Sequence, residues 1–412
     1  MNNFDIIIVG GGAAGFFAAI NAAEKMPQAK IMILERGKEV LTKVRISGGG
    51  RCNVTHAEFI PAELIKYYPR GEKELLGPFH TFMTGDTIGW FSERGIELKI
   101  EEDGRMFPVS DSSETIINCF LQETQRLGIQ IQKNHSVQRI ESSEGKWRVI
   151  TNNGEFSAGK ILIATGSNPK IWNLLEELGH TIEPAVPSLF TFNIKDKRIN
   201  DLPGVATNAQ VRVNLNASEK GKTNILEAEG PLLITHWGMS GPAILKLSTW
   251  GARLLNETNY KFEIIVNWLP QSTQEEILEE LMELKLAHAK QQIAKYAQFD
   301  LPKRLWQKLV KAAEIEESET WADLSKIQLQ TLSEQLTAAK FEVDGKSTFK
   351  EEFVTAGGVN LKEIDFRTFE SRLHKNLYFA GEVLNIDAIT GGFNFQNAWT
   401  GAFIAAQSIV TK

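Results

Sequence analysis

The sequence contains very little cysteine: Cys52 and Cys119 are the only two among 412 residues. Two isolated cysteines exclude a disulfide framework, a CxxC redox pair and a four-cysteine metal site. We therefore expect no disulfide reductase chemistry and no bound metal. A reducing cytoplasm suits such a chain, because free thiols stay reduced there.

The sequence also lacks a block of Lys and Arg, and its net charge at pH 7 is −6. Proteins that bind nucleic acid or an anionic membrane usually carry a basic patch, so we expect neither partner. The most apolar stretch, Ile6 to Ile20, is too short to span a bilayer as a helix. Around Asp5 there is no basic start followed by an apolar run, as a signal peptide would need. These absences favour a cytoplasmic protein that acts on a small-molecule substrate, and they do not indicate an oligomeric state.

The hydrophobic pattern at the start of the chain predicts one β-α-β unit. Apolar runs at residues 4–9 and 30–35 are typical of buried strands, and residues 13–25 have the spacing of a helix. Further along, Ile161 to Ala164 reads as a strand buried on both faces. A helix over 112–127 and short strands near 129–133, 136–141 and 147–151 complete this region.

The pattern changes after residue 187. Alternating strands such as 210–214 and 261–267 predict a mostly β domain, and amphipathic runs rich in Glu, Leu and Lys predict a helical segment over 271–337. Strand character returns at 339–343. A buried strand near 376–381 and a helix over 394–409 indicate that the chain returns to its first domain.

A glycine-rich turn between the first strand and the first helix fits the dinucleotide-binding pattern G-x-G-x-x-G. Gly10 permits the tight turn, Gly12 lets a pyrophosphate approach the backbone, and Gly15 lets helix and strand pack closely. Ala13 and Ala14 begin the helix, whose free N–H groups would face the phosphates. Twenty residues after Gly15, Glu35 stands where a carboxylate accepts hydrogen bonds from the adenosine ribose.

Three further motifs favour FAD over NAD as the bound dinucleotide. The first is a second glycine-rich loop that can lie against a flat ring, formed by Ser47, Gly48, Gly49, Gly50, Arg51, Cys52 and Asn53 with Lys43 close by. The second comprises the turns Thr165-Gly166 and Gly381-Glu382, each following a predicted strand. The third is the start of the last helix, whose N–H groups can stabilise negative charge on a reduced flavin and which includes Gly391, Gly392, Phe393, Asn394 and Gln396.

Together these motifs resemble those of the BaiN-like family of NAD(P)/FAD-dependent oxidoreductases, which also includes aminoacetone oxidase. The resemblance spans nearly the whole chain and includes the Thr235 to Pro242 and Val354 to Val359 segments. It implies an α/β fold, in which a discontinuous Rossmann-like FAD domain is interrupted by a β-barrel-like domain that itself carries a helical insertion. We also assign Arg36 and Val137 to the cofactor-binding set. The predicted boundaries are 1–187 and 352–412 for the FAD domain, 188–270 and 338–351 for the barrel, and 271–337 for the helical insertion.

This sequence departs from the family pattern at three places. The stretch after Thr165-Gly166 is short and less rich in glycine, Asn385 replaces a frequent acid, and Asn397 replaces a frequent aromatic residue. The first departure concerns access of the substrate or the nicotinamide, and the other two concern the choice of substrate.

The predicted chemistry is hydride transfer at flavin N5, with NAD(P)H as a transient reductant and a small organic molecule, such as one with an activated C=C bond, as the acceptor. Two other readings stay open: an FAD-dependent amine oxidase that makes hydrogen peroxide, and a flavin-binding redox sensor without turnover. His236 is the candidate proton donor, although a histidine that only bonds nearby backbone fits equally well. Arg51 is a second candidate, for holding phosphates or an anionic substrate. Cys52 fits best as a small buried thiol.

Overall fold

The computed structural model describes residues 2–143, 145–214, 226–347 and 354–411. The chain forms two compact units, of which unit 1 is Met1–Val186 with Lys350–Lys412 and unit 2 is Pro187–Phe349. The boundary predicted between residues 351 and 352 lies outside the described residues. None of the described helices is both long and apolar enough to cross a membrane.

The first part of unit 1 begins with alternating strands and helices, as the sequence predicts. Its strands are β1 (Asn2–Val9), β2 (Ile31–Leu34), β3 (Thr55–His56), β4 (Leu98–Ile100), β5 (Arg105–Pro108), β6 (Gln130–Gln132), β7 (Val137–Ser143), β8 (Lys146–Thr151), β9 (Gly154–Ile163) and β10 (Ile182–Pro187). Its helices are α1 (Ala13–Lys25), α2 (Thr42–Gly50), α3 (Pro61–Leu64), α4 (Glu72–Thr81), α5 (Thr84–Ser92), α6 (Ser113–Arg126) and α7 (Pro169–Glu177), with a 3-10 turn at Ile65–Tyr67.

Unit 2 combines strands and helices. Its strands are β11 (Thr191–Ile194), β12 (Ala206–Asn214), β13 (Leu226–Thr235), β14 (Gly238–Ser240), β15 (Lys261–Asn267) and β16 (Ala339–Ser347). Its helices are α8 (Pro242–Trp250), α9 (Ala252–Glu257), α10 (Gln274–Ala287), α11 (Lys303–Ala312) and α12 (Lys326–Thr337), with 3-10 turns at Ile293–Lys295 and Trp321–Asp323.

The end of the chain completes unit 1. It contains β17 (Thr355–Val359), β18 (Ile364–Asp365), β19 (Glu370–Ser371), β20 (Leu377–Phe379) and α13 (Phe393–Thr411), with a 3-10 turn at Leu361–Glu363.

The main sheet of unit 1 is built from both ends of the chain. β1 lies between β2 and β9 and is parallel to both, with Ile7 opposite Met32 and Ile161. β20 pairs in parallel with the other side of β9, where Tyr378 lies opposite Leu162. The parallel strands are buried on both faces, as runs of β-branched residues favour. The predicted return of the chain to its first domain is therefore confirmed by strand pairing.

The final helix packs against the first helix. Phe17 of α1 is fully buried. Its ring centroid lies 5.2 Å from that of Trp399 in α13 and 4.5 Å from that of Trp90 in α5. The two helices that follow the two glycine turns are thus held together by a shared aromatic core.

In unit 2, the described strands close into an antiparallel barrel in the order β11-β14-β13-β12-β15-β16. Buried and more exposed residues alternate along β15, where Phe262, Ile264 and Val266 face the core. The helical segment does not have a separate core, because Leu281 and Trp306 belong to the same hydrophobic cluster as the barrel residues.

Candidate functional site

The first glycine turn is closed by backbone contacts that exclude side chains. Gly10 has φ +117, and a Cβ there would lie 2.3 Å from the carbonyl oxygen of Ala164. A Cβ on Gly15 would lie 2.0 Å from the carbonyl oxygen of Gly10. By contrast, no heavy atom lies within 4 Å of a Cβ built on Gly12. The turn is therefore tight at its two ends and open at its centre, where the fingerprint requires a ligand to approach.

The helix α1 is not capped by its own N-cap residue. That residue, Gly12, has no side chain, and the first turn of the helix contains no acidic residue. The free N–H groups and the positive end of the helix dipole are consequently available to an anion. Ala13 and Ala14 lie in this first turn.

Glu35, at the end of β2, forms hydrogen bonds with two loops. Its carboxylate accepts hydrogen bonds from the N–H groups of Gly11 at 2.9 Å and Gly37 at 2.7 Å. An ionised carboxylate has about four lone-pair directions, so acceptor capacity remains for the hydroxyl groups of a ribose.

A cleft beside Glu35 collects several residues that the sequence predicts. Gly10, Glu35, Arg36, Val137 and Thr165 all line it. The sequence reasoning did not find the other lining residues, which are Val9, Leu34, His135, Ser136, Asn168, Lys170 and Ile171. Apolar side chains such as Leu34 and Ile171 alternate with polar ones such as Glu35 and Ser136, and this mixed lining suits a purine base and its ribose.

Asn168 is the lining residue that a sequence signal could have identified. It directly precedes the helix-starting Pro169, and its side chain caps α7 by accepting the N–H of Lys170 at 3.2 Å. An Asn followed by Pro shortly after the Thr165-Gly166 turn is a common helix start.

The turn at Gly381-Glu382 meets the start of α1. A Cβ on Gly381 would lie 3.4 Å from the Cβ of Ala14, and a Cβ on Gly166 would lie 3.8 Å from Oε2 of Glu382. Lys43 reaches the same point, with its Nζ 2.7 Å from Oε2 of Glu382. The predicted residues Lys43, Gly166 and Glu382 therefore belong to one site, together with the first fingerprint.

The second glycine segment has the irregular backbone of a loop, as predicted. The helix α2 begins before it, but Ser47, Gly48 and Gly49 leave helical geometry, and Gly50 and Cys52 have φ values of +87 and +62. The kink is stabilised because Ser47 Oγ donates a hydrogen bond to the carbonyl oxygen of Val44 at 2.9 Å. Within the described part of the chain, no heavy atom lies within 4 Å of a Cβ built on Gly49 or Gly50, so their backbone is open to a ligand.

The second glycine segment makes direct contact with the last glycine pair. The side-chain oxygen of Asn53 accepts the N–H of Gly392 at 3.0 Å, while its amide nitrogen donates to the carbonyl oxygen of Thr55 at 3.0 Å. Gly392 has φ +96, and a Cβ there would lie 2.5 Å from that same carbonyl oxygen. A glycine is therefore required where the two segments touch.

Two predicted cofactor-binding side chains have internal hydrogen bonds instead. Gln396 is fully buried. Its Oε1 accepts from the hydroxyl groups of Thr55 and Thr87, at 2.6 and 3.0 Å. The side-chain amide of Asn394 bonds both the N–H and the carbonyl of Ala388, at 3.0 and 3.1 Å. These side chains therefore shape the start of α13. The N–H of Gln396 is bonded as well, to the carbonyl oxygen of Gly392 at 3.0 Å.

Aromatic packing also holds the start of α13. The ring of Phe393 stacks on Tyr67 with centroids 4.2 Å apart and lies 4.4 Å from the ring of His56. His56 was not predicted, although it follows the second glycine segment closely. Its Nδ1 lies 3.0 Å from the carbonyl oxygen of Gly391, so this nitrogen carries the proton. Burial lowers the pKa of His56.

Cys52 is a structural thiol, as the sequence reasoning favoured. It is fully buried. Burial raises the pKa of its thiol to about 12, so it stays protonated at neutral pH. A protonated thiol is a poor nucleophile.

Arg51 is held by acidic partners. Its guanidinium lies 2.6 Å from Glu101 and 3.5 Å from Asp111, and it covers the ring of Phe107 at 3.9 Å from the centroid. The hydrogen bond to Glu101 raises the pKa of Arg51. Its charge is already balanced by two carboxylates, which reduces its capacity to bind a phosphate.

His236 lies in unit 2, in the turn between β13 and β14, and its side chain is exposed. The next residue, Trp237, is fixed by a hydrogen bond from its Nε1 to Oγ1 of Thr191 at 2.9 Å. The role of His236 as a proton donor stays a prediction.

The donor set in unit 1 fits FAD. Backbone amides with open space in front of them suit a pyrophosphate, the carboxylates of Glu35 and Glu382 suit sugar hydroxyls, and the mixed polar and apolar cleft suits adenine with its ribose. The second glycine segment and the start of α13 provide a further set of amides for the edge of a flavin ring.

Comparisons with known proteins agree with this reading. The model of the HI0933-like protein Rossmann domain family matches residues 4–408. Similar curated proteins include a ribosomal RNA dihydrouridine synthase of Haemophilus influenzae, which is 29% identical over 98% of both chains. The protein of the same name from Escherichia coli is 29% identical over 100% of this chain and 99% of its own. A 3-dehydro-bile acid delta(4,6)-reductase of Clostridium scindens is 27% identical over 98% of both chains.

Among solved structures, a 3-ketosteroid-delta4-(5alpha)-dehydrogenase from Rhodococcus jostii RHA1 has the same fold. Its TM-score is 0.53 at 12% sequence identity, and the match covers 100% of this chain and 97% of that one. The fold, the cofactor and the enzyme class predicted from the sequence are confirmed: the protein is an FAD-dependent oxidoreductase. The chain belongs to the HI0933-like protein Rossmann domain family.

Proposed function

We propose that this protein is an NAD(P)H-dependent reductase of a C=C bond that is conjugated to a carbonyl group. One observation carries the proposal: relatives with very different substrates are named for this one kind of reaction. Dihydrouridine is uridine in which the C5=C6 bond beside the C4 carbonyl is reduced. In a delta(4,6)-reductase of a 3-dehydro-bile acid, the C=C bonds are conjugated to the 3-oxo group.

The redox balance is simple. NAD(P)H provides a hydride for one carbon of the acceptor, a proton reaches the other carbon, and the products are NAD(P)⁺ and the saturated bond. Bound FAD supplies two-electron chemistry at its N5 atom. The remainder of the catalytic task belongs to the chain, which must bind, orient and shield the reactants.

We assign the parts of the site to parts of the cofactor by their chemistry. The open amides at Gly12 and the start of α1 would hold the pyrophosphate, and Glu35 would hold the adenosine ribose. The pair Lys43 and Glu382 would bind the ribityl chain or the phosphate beside it. The free N–H groups at the start of α13 would face the pyrimidine edge of the flavin ring, where they stabilise negative charge.

The nicotinamide is proposed to bind only transiently. The sequence contains no second G-x-G-x-x-G after a strand, so a permanent NAD(P) site is not expected. The proton is assigned to His236 as a prediction. His56 is the weaker candidate, because its Nδ1 proton is committed to the carbonyl oxygen of Gly391.

Uridine in RNA is the acceptor that we propose to test first, because two full-length relatives are named for it. The net charge of −6 led us to expect no nucleic acid partner. A net charge, however, does not describe how charges are distributed over a surface.

Anaerobic stopped-flow spectroscopy tests the proposal. We expect rapid bleaching of the flavin absorbance by NADH or NADPH, followed by rapid recovery when a uridine-rich RNA or an enone is added. Bleaching by amines alone, with peroxide formed when oxygen is admitted, would instead identify an amine oxidase. A flavin that no donor bleaches would identify a binding protein without turnover. Either result would overturn the proposal.

A further inference from the structure

We propose that unit 2 carries a docking groove for single-stranded RNA, formed by the turn at His236 and Trp237 and by the basic face of α11. The inference rests on the proposed function, because it locates a surface for the RNA acceptor of that reaction. It uses only contacts within unit 2.

The groove has a volume of about 540 Å³ and mainly apolar walls. Pro203, Leu233 and Trp237 are among the residues that line it. Leu233 is 36% exposed and Trp237 is 37% exposed, although both are large apolar side chains. An exposed apolar groove of this kind marks a binding surface more often than a stable free surface.

Trp237 is exposed but held in one orientation. Its Nε1 donates a hydrogen bond to Oγ1 of Thr191 at 2.9 Å, so the ring loses little further freedom when a ligand stacks on it. Every nucleobase has a π-face, and a fixed aromatic ring is a common platform for single strands.

Basic side chains border the apolar part of the groove. Arg304 lines it and is exposed, and among the described residues we find no ion-pair partner for it. His236 lines the groove as well, is exposed and has no described partner. These two side chains can donate hydrogen bonds to phosphate oxygens beside a base stacked on Trp237.

The basic surface continues along α11. This helix contains no acidic residue, and its basic residues are Lys303, Arg304, Lys308 and Lys311. The opposite face is fixed in the core of unit 2 by Leu305, Trp306, Leu309 and Val310. The basic face must therefore point outward. Among the described residues, Lys308 alone of the four has an ion-pair partner, with its Nζ 3.4 Å from Asp201.

The length of this basic face indicates that its ligand is an RNA strand rather than a single nucleotide. A helix rises about 1.5 Å per residue, which places Lys311 about 10 Å further along the axis than Arg304. One phosphate or one pyrophosphate needs only the first part of this surface. Successive phosphates of an RNA strand can use all of it, which is the electrostatic pattern of single-strand binding.

Fluorescence anisotropy with a labelled oligouridylate tests the groove, using the FAD-loaded protein without reductant. We expect Trp237→Leu to weaken binding by about 5- to 100-fold, the range for loss of one stacked base. Arg304→Gln should weaken binding less and should lower the slope of log Kd against log salt concentration by about 0.7, the value for one phosphate contact in a single strand.

Matched controls lie outside the groove. Trp250→Leu removes a tryptophan that is 45% exposed in α8, and Lys326→Gln removes an exposed lysine at the start of α12. Both should bind the RNA like the unmodified protein. Thermal melting of all four variants confirms that each is folded.

The proposal is overturned if the groove variants bind RNA as tightly as the controls do. It is also overturned if inorganic polyphosphate displaces the RNA while Trp237→Leu has no effect, because the site would then recognise charge alone. Bleaching of the flavin by NAD(P)H, measured on the same samples, separates this test from that of the proposed function. RNA binding that depends on Trp237, in a protein that does not reduce C=C bonds, would support the groove and reject the reductase.

Discussion

Replacing Gly392 with alanine should damage both folding and FAD binding. Gly392 has φ +96, and a Cβ there would lie 2.5 Å from the carbonyl oxygen of Thr55 and 2.6 Å from its carbonyl carbon. The left-handed conformation costs a non-glycine residue about 1–2 kcal/mol. The clash adds to this cost, because both atoms are backbone and the Gly392 N–H is bonded to Asn53. We expect a total of about 2–4 kcal/mol, and if half of it falls on the FAD-bound state the loss of FAD affinity is about 5- to 30-fold.

Gly128→Ala is the matched control for Gly392→Ala. Gly128 also has a positive φ of +67, but no heavy atom lies within 4 Å of a Cβ built there, and it follows α6 rather than a glycine turn of the site. This variant should lose about 1 kcal/mol of stability and keep its FAD affinity. The measurements are denaturant unfolding and FAD titration of the apoprotein. A Gly392→Ala protein with unchanged stability and FAD affinity, or one that loses stability alone, would refute the reasoning.

Three further predictions concern buried or charged groups. Glu35→Gln should weaken FAD binding by about 10- to 100-fold in the same titration, because a carboxylate that accepts the Gly11 and Gly37 N–H groups becomes neutral. Asp387→Asn should cost about 3–5 kcal/mol in denaturant unfolding, because Asp387 is fully buried and accepts from Arg70 Nε at 2.6 Å. Burial in the folded protein lowers the pKa of His180 from 6.5. The imidazole of His180 therefore takes up a proton more readily in the unfolded chain than in the folded chain. Stability should therefore fall as pH drops below about 6.5, and His180→Asn should reduce this dependence in unfolding curves recorded between about pH 8 and pH 5.

Strong local patterns made the first domain predictable. The helix predicted over 13–25 is α1 (Ala13–Lys25), because its apolar spacing and the glycine turn before it both mark the same start. The last helix, predicted to begin at Asn394, begins one residue earlier at Phe393. The pairing of the C-terminal strand with the first domain was also predictable. A buried strand that has no partner nearby in the sequence must pair with another part of the chain.

Other elements carried weaker signals. The helix α5 (Thr84–Ser92) contains two glycines and β-branched residues, which lower helix propensity, so we did not predict it. The helix α8 (Pro242–Trp250) lies within the region that we predicted as a mostly β domain. In both cases burial in the tertiary core stabilises a helix that local propensity does not favour.

In the candidate site, too, some roles could be predicted from the sequence and others could not. Backbone roles, such as those of Gly10, Gly15 and Gly392, follow from the residue type, because only glycine tolerates the contacts found there. Side-chain roles do not follow. Gln396 and Arg51 were predicted as ligands of the cofactor, yet Gln396 supports the turn and Arg51 pairs with Glu101, and these partners are far apart in the sequence.

Hydrogen–deuterium exchange with and without FAD tests most directly the claim that both ends of the chain form one cofactor site. We predict that added FAD slows amide exchange at residues 10–15, 47–53 and 391–396 with the same dependence on FAD concentration. The amides around Gly128 serve as the internal reference and should not change. Protection of the first segment without the last, or protection of the two at different FAD concentrations, would contradict the account.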